Sequence, residues 1–338
     1  MGTIERAAAE RPRWTVDERT VAGPDEDGFT LVAAAVERLL PLPPDLTAID
    51  LIGEFPEVVD WALPALLGRS LPLTRHEERA AGLTDALADA EDRASAGHRS
   101  LLLAADLPER SDDPGRGEGA LAVALQVGPG GSPLRSPASG DSPLGAAEAA
   151  LLLKSADPDA SPARWLGAWE RRAGPVLPID ASALREAAGA SVHGVSEGAY
   201  VPRLRYLERL PSRWRLEAET CGACGVRSFP ARGRCGRCGR DDRLTTASLP
   251  YDGGRVVATT VIGRGGQPTE FDRTVDAVGG YGVVLAEIVP GIRGTFAVTD
   301  APHLPLAIGS SVATRLRRLY PIEGEWRYGR KAIPLDAL

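Results

Sequence analysis

Between residues 30 and 40, Leu31, Val32, Ala35, Val36, Leu39 and Leu40 recur at helical spacing behind Asp27, a side chain suited to cap a helix N-terminus. Pro41, Pro43 and Pro44 end that helix. The short apolar run 48–52 predicts a buried strand, followed by a helix around 56–67 and a longer one over about 77–96 that Gly97 stops. Runs 100–105 and 120–127 read as further buried strands. Helices alternating with strands in this way predict an α/β layer built on a mostly parallel sheet.

Pro, Gly and Ser dominate residues 128–143, which reads as an exposed loop closing one folded unit. Residues 146–200 are rich in alanine and read as partly helical, with Trp165 and Trp169 four apart on one helical face, packed against a neighbour. Beyond residue 246 the texture changes. Short strand-like runs at 255–262, 282–288, 294–299, 311–319 and 325–333 are separated by Gly, Pro and Asp. Five strands of this length suggest a small closed barrel of the OB-fold kind. Arg315, Arg317 and Arg318, partly alternating along one of them, read as a solvated face.

The chain has four cysteines, Cys221, Cys224, Cys235 and Cys238, arranged as two Cys-x2-Cys pairs ten residues apart. Each pair can turn back so that both thiolates face one point, and Gly222, Gly225, Gly236 and Gly239 are placed to supply unusual backbone angles. Together they offer four sulfurs to a tetrahedral Zn²⁺, with iron a second option, and leave no open position, so the metal is expected to be structural. Two disulfides are the alternative, but these belong mainly to small secreted domains, and residues 1–14 are polar and charged rather than signal-like. Reduced thiols, and the absence of any run near the ~18 apolar residues of a membrane span, imply a cytoplasmic protein. A net charge of -7 argues against a general nucleic-acid binder.

From Val201 onward the sequence resembles the DUF35 family, in which a rubredoxin-like zinc ribbon precedes an OB-fold associated with acyl-CoA metabolism. The matching stretches are Val201-Pro202-Arg203, Pro211-Ser212-Arg213-Trp214-Arg215-Leu216, the two cysteine knuckles with Phe229-Pro230 between them, Thr260-Val261-Ile262, and Pro268-Thr269-Glu270-Phe271. Tyr281-Gly282-Val283, Gly291-Ile292-Arg293, Ile308-Gly309 and Tyr328-Gly329-Arg330-Lys331 follow in the family's order.

Residues 16–175 resemble the N-terminal half of a 3-hydroxy-3-methylglutaryl-CoA synthase-like thiolase fold. Asp25-Glu26-Asp27-Gly28-Phe29-Thr30-Leu31 is similar to the segment that opens a helix there, and Gly82-Leu83-Thr84-Asp85-Ala86-Leu87 to the helix after the nucleophilic cysteine. Residues 101–106, 117–120 and 162–165 are similar to later stretches. The resemblance puts Ala80 where the nucleophile stands, and residues 1–220 contain no cysteine. It therefore implies a half-length, catalytically dead thiolase fold whose edge strand and apolar face seek a partner. His76 and His98 read as surface histidines.

The chain is thus expected to be multidomain: an α/β half-thiolase-like domain (1–130), a linker and helical segment (131–200), a zinc ribbon with a leading helix (201–245) and an all-β OB-fold (246–338). The resemblances imply a non-catalytic accessory subunit that docks an active thiolase- or ketosynthase-like partner, or self-associates through its N-terminal domain, and helps hold acyl-CoA. Arg293, Arg327, Arg330 and Lys331 are candidate cations for its phosphates, and Phe271, Tyr281 and Tyr328 candidate walls. One alternative is a divergent acyltransferase or C–C bond-forming enzyme whose site is completed at an interface, with His76 or Asp106 contributing. Another is a single-stranded nucleic-acid binder, against which the 5% aromatic content and the acidic total weigh.

Overall fold

The computed structural model describes residues 11–16, 19–21, 23, 25–37, 39–53, 55–76, 80–106, 121–128, 165–178, 201–301, 303–322 and 325–335. Apart from Gly128, the loop expected at 128–143 lies outside these residues, as do the stretches 117–120 and 162–164 and most of 146–200. Two compact units divide the chain, 1–178 and 179–338.

The first unit runs β1 (Arg11–Val16), β2 (Arg19–Val21), α1 (Gly28–Glu37), β3 (Leu46–Gly53), α2 (Val59–Leu67), β4 (Leu73–His76), α3 (Ala80–Ser95), β5 (Arg99–Asp106), β6 (Leu121–Val127) and β7 (Trp165–Pro178). Helix α1 begins where its cap requires. Asp27 Oδ1 accepts the Thr30 N–H at 2.9 Å, and Thr30 Oγ1 accepts the Asp27 N–H at 2.9 Å, a reciprocal box that satisfies two orphan donors. Every residue from Gly28 to Val36 is buried, so α1 is apolar all round and serves as a central rod against β5–β7. Helix α3 packs on β3–β5.

These strands form one sheet in the order β2-β1-β7-β6-β5-β3-β4. It is not mostly parallel. Pairs β3–β4, β3–β5 and β1–β7 are parallel, while β1–β2, β5–β6 and β6–β7 are antiparallel, because the chain runs back on itself at β6. The expected helix around Trp165 and Trp169 is strand β7 instead: Trp169 stands opposite Val123 and Trp165 opposite Val127, so residues 165–178 complete this sheet rather than follow it.

The second unit opens with two short helices, α4 (Arg203–Glu208) and α5 (Leu210–Trp214), and continues through β8 (Glu217–Cys221), β9 (Arg227–Ser228) and β10 (Leu244–Ser248). Then come β11 (Gly254–Gly263), a 3-10 turn (Thr269–Phe271), α6 (Asp272–Val278), β12 (Gly280–Val289), β13 (Ile292–Ala297), β14 (Ser311–Ile322) and β15 (Glu325–Pro334). A small sheet, β10-β8-β9, ends at Cys221 and together with the turns that hold Cys224, Cys235 and Cys238 forms the ribbon. A five-stranded antiparallel sheet, β13-β12-β11-β14-β15, has its two edges joined by a parallel bridge between Val298 and Ala332, where the Thr299 N–H donates to Ala332 O at 2.9 Å. The closed sheet buries alternate positions along β12, as a half-buried strand must. Leu216, Ala218 and Leu249, from the ribbon and its flanks, belong to the same core as Val256, Val284, Ile288, Phe296 and Val312, so ribbon and barrel are one packed body.

Candidate metal centre and the cationic strands

Two knuckles of matching hydrogen-bond geometry hold the cysteines. Gly225 N–H donates to Cys221 O at 2.8 Å and Cys221 N–H to Val226 O at 2.9 Å; fourteen residues on, Gly239 N–H donates to Cys235 O at 3.0 Å and Cys235 N–H to Arg240 O at 2.7 Å. Gly225 and Gly239 close these turns at φ of 69° and 73°, where a side chain would be strained. Gly222 and Gly236, expected to share that duty, do not adopt positive φ; a Cβ on Gly222 would sit 3.4 Å from Arg243 O, and one on Gly236 would meet open space. Their role is close approach at most.

No disulfide links the four thiols. Cys221 Sγ lies 3.6 Å from Cys238 Sγ, Cys224 Sγ lies 3.5 Å from Cys235 Sγ, and all four sulfurs fall within 4.8 Å of one another. Four sulfurs at about 2.3 Å from a central ion stand about 3.8 Å apart, so the set fits a tetrahedral metal. Backbone amides prepare it. The N–H groups of Ala223 and Cys224 pull the Cys221 thiol below its usual range, and those of Cys238 and Arg237 bring Cys235 down to about 6. Cys224 receives the Val226 amide, but burial and its sulfur neighbours push it up to about 11. Thiols so crowded share protons until a cation replaces them. The cluster can therefore hold a structural ion such as zinc, which would tie β8 to the second knuckle and offer no open coordination position.

The ribbon is fixed to its surroundings by polar contacts as well. Glu219, buried, accepts the N–H groups of Arg232 and Gly233 at 2.8 and 2.7 Å. Phe229 packs so closely on Gly294 of β13 that a Cβ there would lie 3.2 Å from its ring.

Arg315, Arg317 and Arg318 are not a solvated face. All three are buried, as are Arg327, Arg330 and Lys331 on the neighbouring strand. Acids and aromatic rings compensate them: Arg317 pairs with Asp300 at 3.0 Å, both fully buried, and Arg315 pairs with the more exposed Asp252 at 2.8 Å. The Arg318 guanidinium lies 4.6 Å from the Trp326 ring, and that of Arg330 lies 3.8 Å from the Tyr251 ring.

The seven residues considered for acyl-CoA fall into separate groups. Tyr328 is fully buried; its backbone N–H donates to the Tyr206 hydroxyl at 2.9 Å, and its carbonyl accepts from that hydroxyl and from Trp214 Nε1, each at 3.0 Å. Arg327 sits 5.0 Å over the Tyr206 ring and pairs with Glu325 at 2.9 Å. Arg330 donates from Nε to Trp214 O at 2.6 Å. Lys331 is buried opposite Arg315. Phe271 stacks on Tyr281 at 5.2 Å, and Tyr320, which sequence reasoning missed, meets Phe271 edge-on at 5.4 Å. Burial raises the hydroxyls of Tyr281 and Tyr320 above the usual tyrosine range. Arg293 stands apart on β13, exposed and 4.0 Å from Glu287.

No protein-family profile matches this chain, and no curated protein does. Among solved structures, one described as "Ltp2-ChsH2(DUF35) aldolase" aligns at 22% identity over 36% of this chain and 84% of its own, with a TM-score of 0.28. Another, ChlB3, described as an "Aceyltransferase", aligns at 21% identity over 32% of this chain and 41% of its own, with a TM-score of 0.26. Both are partial likenesses, and this chain spans less than half of the second.

A second polar cluster lies in the first unit. Asp50 on β3 is fully buried; His76 Nε2 stands 3.0 Å from its Oδ1, and Arg93 of α3 pairs with its Oδ2. Arg93 Nε also donates to Ser100 Oγ at 2.8 Å, and the Asp89 carboxylate completes a group within 4.8 Å. His76 is therefore not a surface histidine, whereas His98 is exposed. Asp106 ends β5, with its side chain outside the described residues. Among the described residues no helix is long and apolar enough to cross a membrane.

Proposed function

We propose that this protein is a non-catalytic accessory subunit for acyl-CoA chemistry. Its first unit, read as a half-length thiolase-like domain, docks an intact thiolase- or ketosynthase-like subunit, and its metal ribbon and OB-like barrel hold or pass the acyl-CoA intermediate. One observation carries the reading: all four cysteines of the chain converge on a single closed cluster, while Ala80 opens α3 where the resemblance would put a nucleophile. The strand order of the barrel, with its closing bridge between Val298 and Ala332, is in keeping with an OB-fold. Within the barrel, exposed Arg293 is the cation best placed to meet a CoA phosphate from solvent, and Phe271 with Tyr281 supplies an aromatic wall.

Two measurements test this. The purified protein incubated with acyl-CoA should show no condensation or acyl transfer, and turnover at an enzyme-like rate would sink the reading. Calorimetric titration with coenzyme A should give binding that Arg293→Ala weakens; no heat at millimolar ligand removes the barrel's part in it.

The contact between His76 and buried Asp50 favours a second reading, an acyltransferase site completed at a subunit interface, because a carboxylate that orients an imidazole is how a general base is prepared. Full turnover by His76→Ala in a reconstituted complex would eliminate it.

A further inference from the structure

Charge is divided unevenly along the chain. Residues 201–338 contain 21 Lys and Arg against 14 Asp and Glu, formally +7, while residues 1–200 contain 18 against 32, formally -14; the two give the chain's -7. Among the described residues of the second unit, exposed arginines are set most densely on the ribbon. In the second unit Arg203, Arg205, Arg264 and Arg293 each face an acid, while exposed Arg209 and Arg255 donate to the carbonyls of Ala231 and Gly309. On the ribbon, Arg227, Arg232 and Arg237 are exposed and, among the described residues, form no ion pair; Arg240 and Arg243 share only Asp242, at 3.5 and 4.0 Å. Residues 221–243 carry six arginines and two aspartates, formally +4, and still +2 once four thiolates on a divalent ion are counted.

Several acids of the first unit are engaged. Asp45 pairs with Arg99, Asp60 with Arg75, and buried Asp50 with Arg93. Helix α3 carries Asp85, Asp89 and Asp92 at i, i+4 and i+7 on one face; all three are exposed and, among the described residues, form no ion pair, as is also true of Glu57, and Asp89 lies within the His76–Asp50 group as well.

We infer that the protein self-associates, with the arginine-bearing ribbon of one copy seated on the aspartate stripe of α3 in a second copy. Guanidiniums pair carboxylates in planar, two-pronged fashion, and the metal-held ribbon presents them from a rigid frame, which lowers the ordering cost of contact. A nucleic-acid strand fits the ribbon less well, since Phe229, its one aromatic, is packed against Gly294 and gives bases no platform to stack on.

Sedimentation velocity of the full, metal-loaded chain tests this. We expect dimer at about 0.02 M salt and monomer at about 0.5 M, as the screening length falls from roughly 20 Å to about 4 Å. The ribbon reversal R232E/R237E and the helix reversal D85K/D92K should each weaken self-association by about tenfold or more, and an equimolar mixture of the two variants should restore a mixed dimer, as a direct contact requires. Circular dichroism of each variant checks that the exposed substitutions leave the fold intact. Monomer at low salt overturns the inference. So does a dimer indifferent to salt and to both reversals, which would point to apolar pairing through the first unit. Retention on single-stranded oligonucleotide without self-association would assign the arginines to nucleic acid and also overturn it. None of these outcomes bears on coenzyme A binding, so the two readings fail separately.

Discussion

The Tyr206 hydroxyl and the Tyr328 backbone exchange two hydrogen bonds, accepting the N–H at 2.9 Å and donating to the carbonyl at 3.0 Å. One phenol from α4 thereby does for β15 what another strand would do, and burial holds its proton in place by raising the hydroxyl well above the usual tyrosine range. Trp214 adds a donor to the same carbonyl and packs edge-on to both tyrosine rings. Tyr206→Phe leaves a buried N–H without its acceptor, and a loss of about 1–3 kcal/mol is expected in urea denaturation.

Metal removal should reach beyond the ribbon. Because Leu216, Ala218 and Leu249 are shared with the barrel core, chelation or Cys221→Ser should speed amide exchange in β11 and β12 as well as in β8. Metal analysis of the intact protein should give one ion bound by the cysteines. Affinity should fall as pH drops, since ligation requires thiolates. Exchange confined to the knuckles would contradict the shared core.

Asp300 and Arg317 are an ion pair with both side chains fully buried. Asp300→Asn, which tolerates the residue's φ of 52°, removes the charge alone. About 3 kcal/mol of destabilisation is expected, with much of it recovered when Arg317→Met is added, because the cost lies in the stranded charge rather than in the lost attraction. Equal stability of the single and double variants would contradict this.

Glu325 accepts from Arg203 and Arg327, and the Arg203 hydrogen bond, the larger cause, holds its carboxyl below the usual range. A folded-state value below the unfolded one means that its contribution is present at neutral pH and is lost as pH falls through the folded value. Glu325→Gln should therefore lower stability at pH 7 slightly and make it less steep in acid. An unchanged acid limb in a pH series of melting curves would show that the pair is screened out by solvent.

Much of this architecture could be read from the chain because its signals are local. Asp27 and Thr30 are three residues apart, and the cysteine knuckles repeat within a span of eighteen residues. What escaped depends on distant partners. Arg315 looks like surface until Asp252, 63 residues away, is placed beside it, and His76 until Asp50, 26 residues away, is buried behind it. Strand β7 contains Gly167, Gly174, Arg171 and Arg172, no strand former's pattern; it exists because β6 and β1 each leave an edge for it to pair.

The closing bridge between Val298 and Ala332 sets an order of events during synthesis. Both cysteine pairs leave the ribosome before β11 begins, so the ribbon can load its ion while the barrel is still missing every strand. The barrel cannot shut until β15, the last of its five strands, has been made. A nascent chain that has exposed β11 to β14 but not yet β15 would therefore carry the cysteine knuckles attached to an open sheet with unprotected edges.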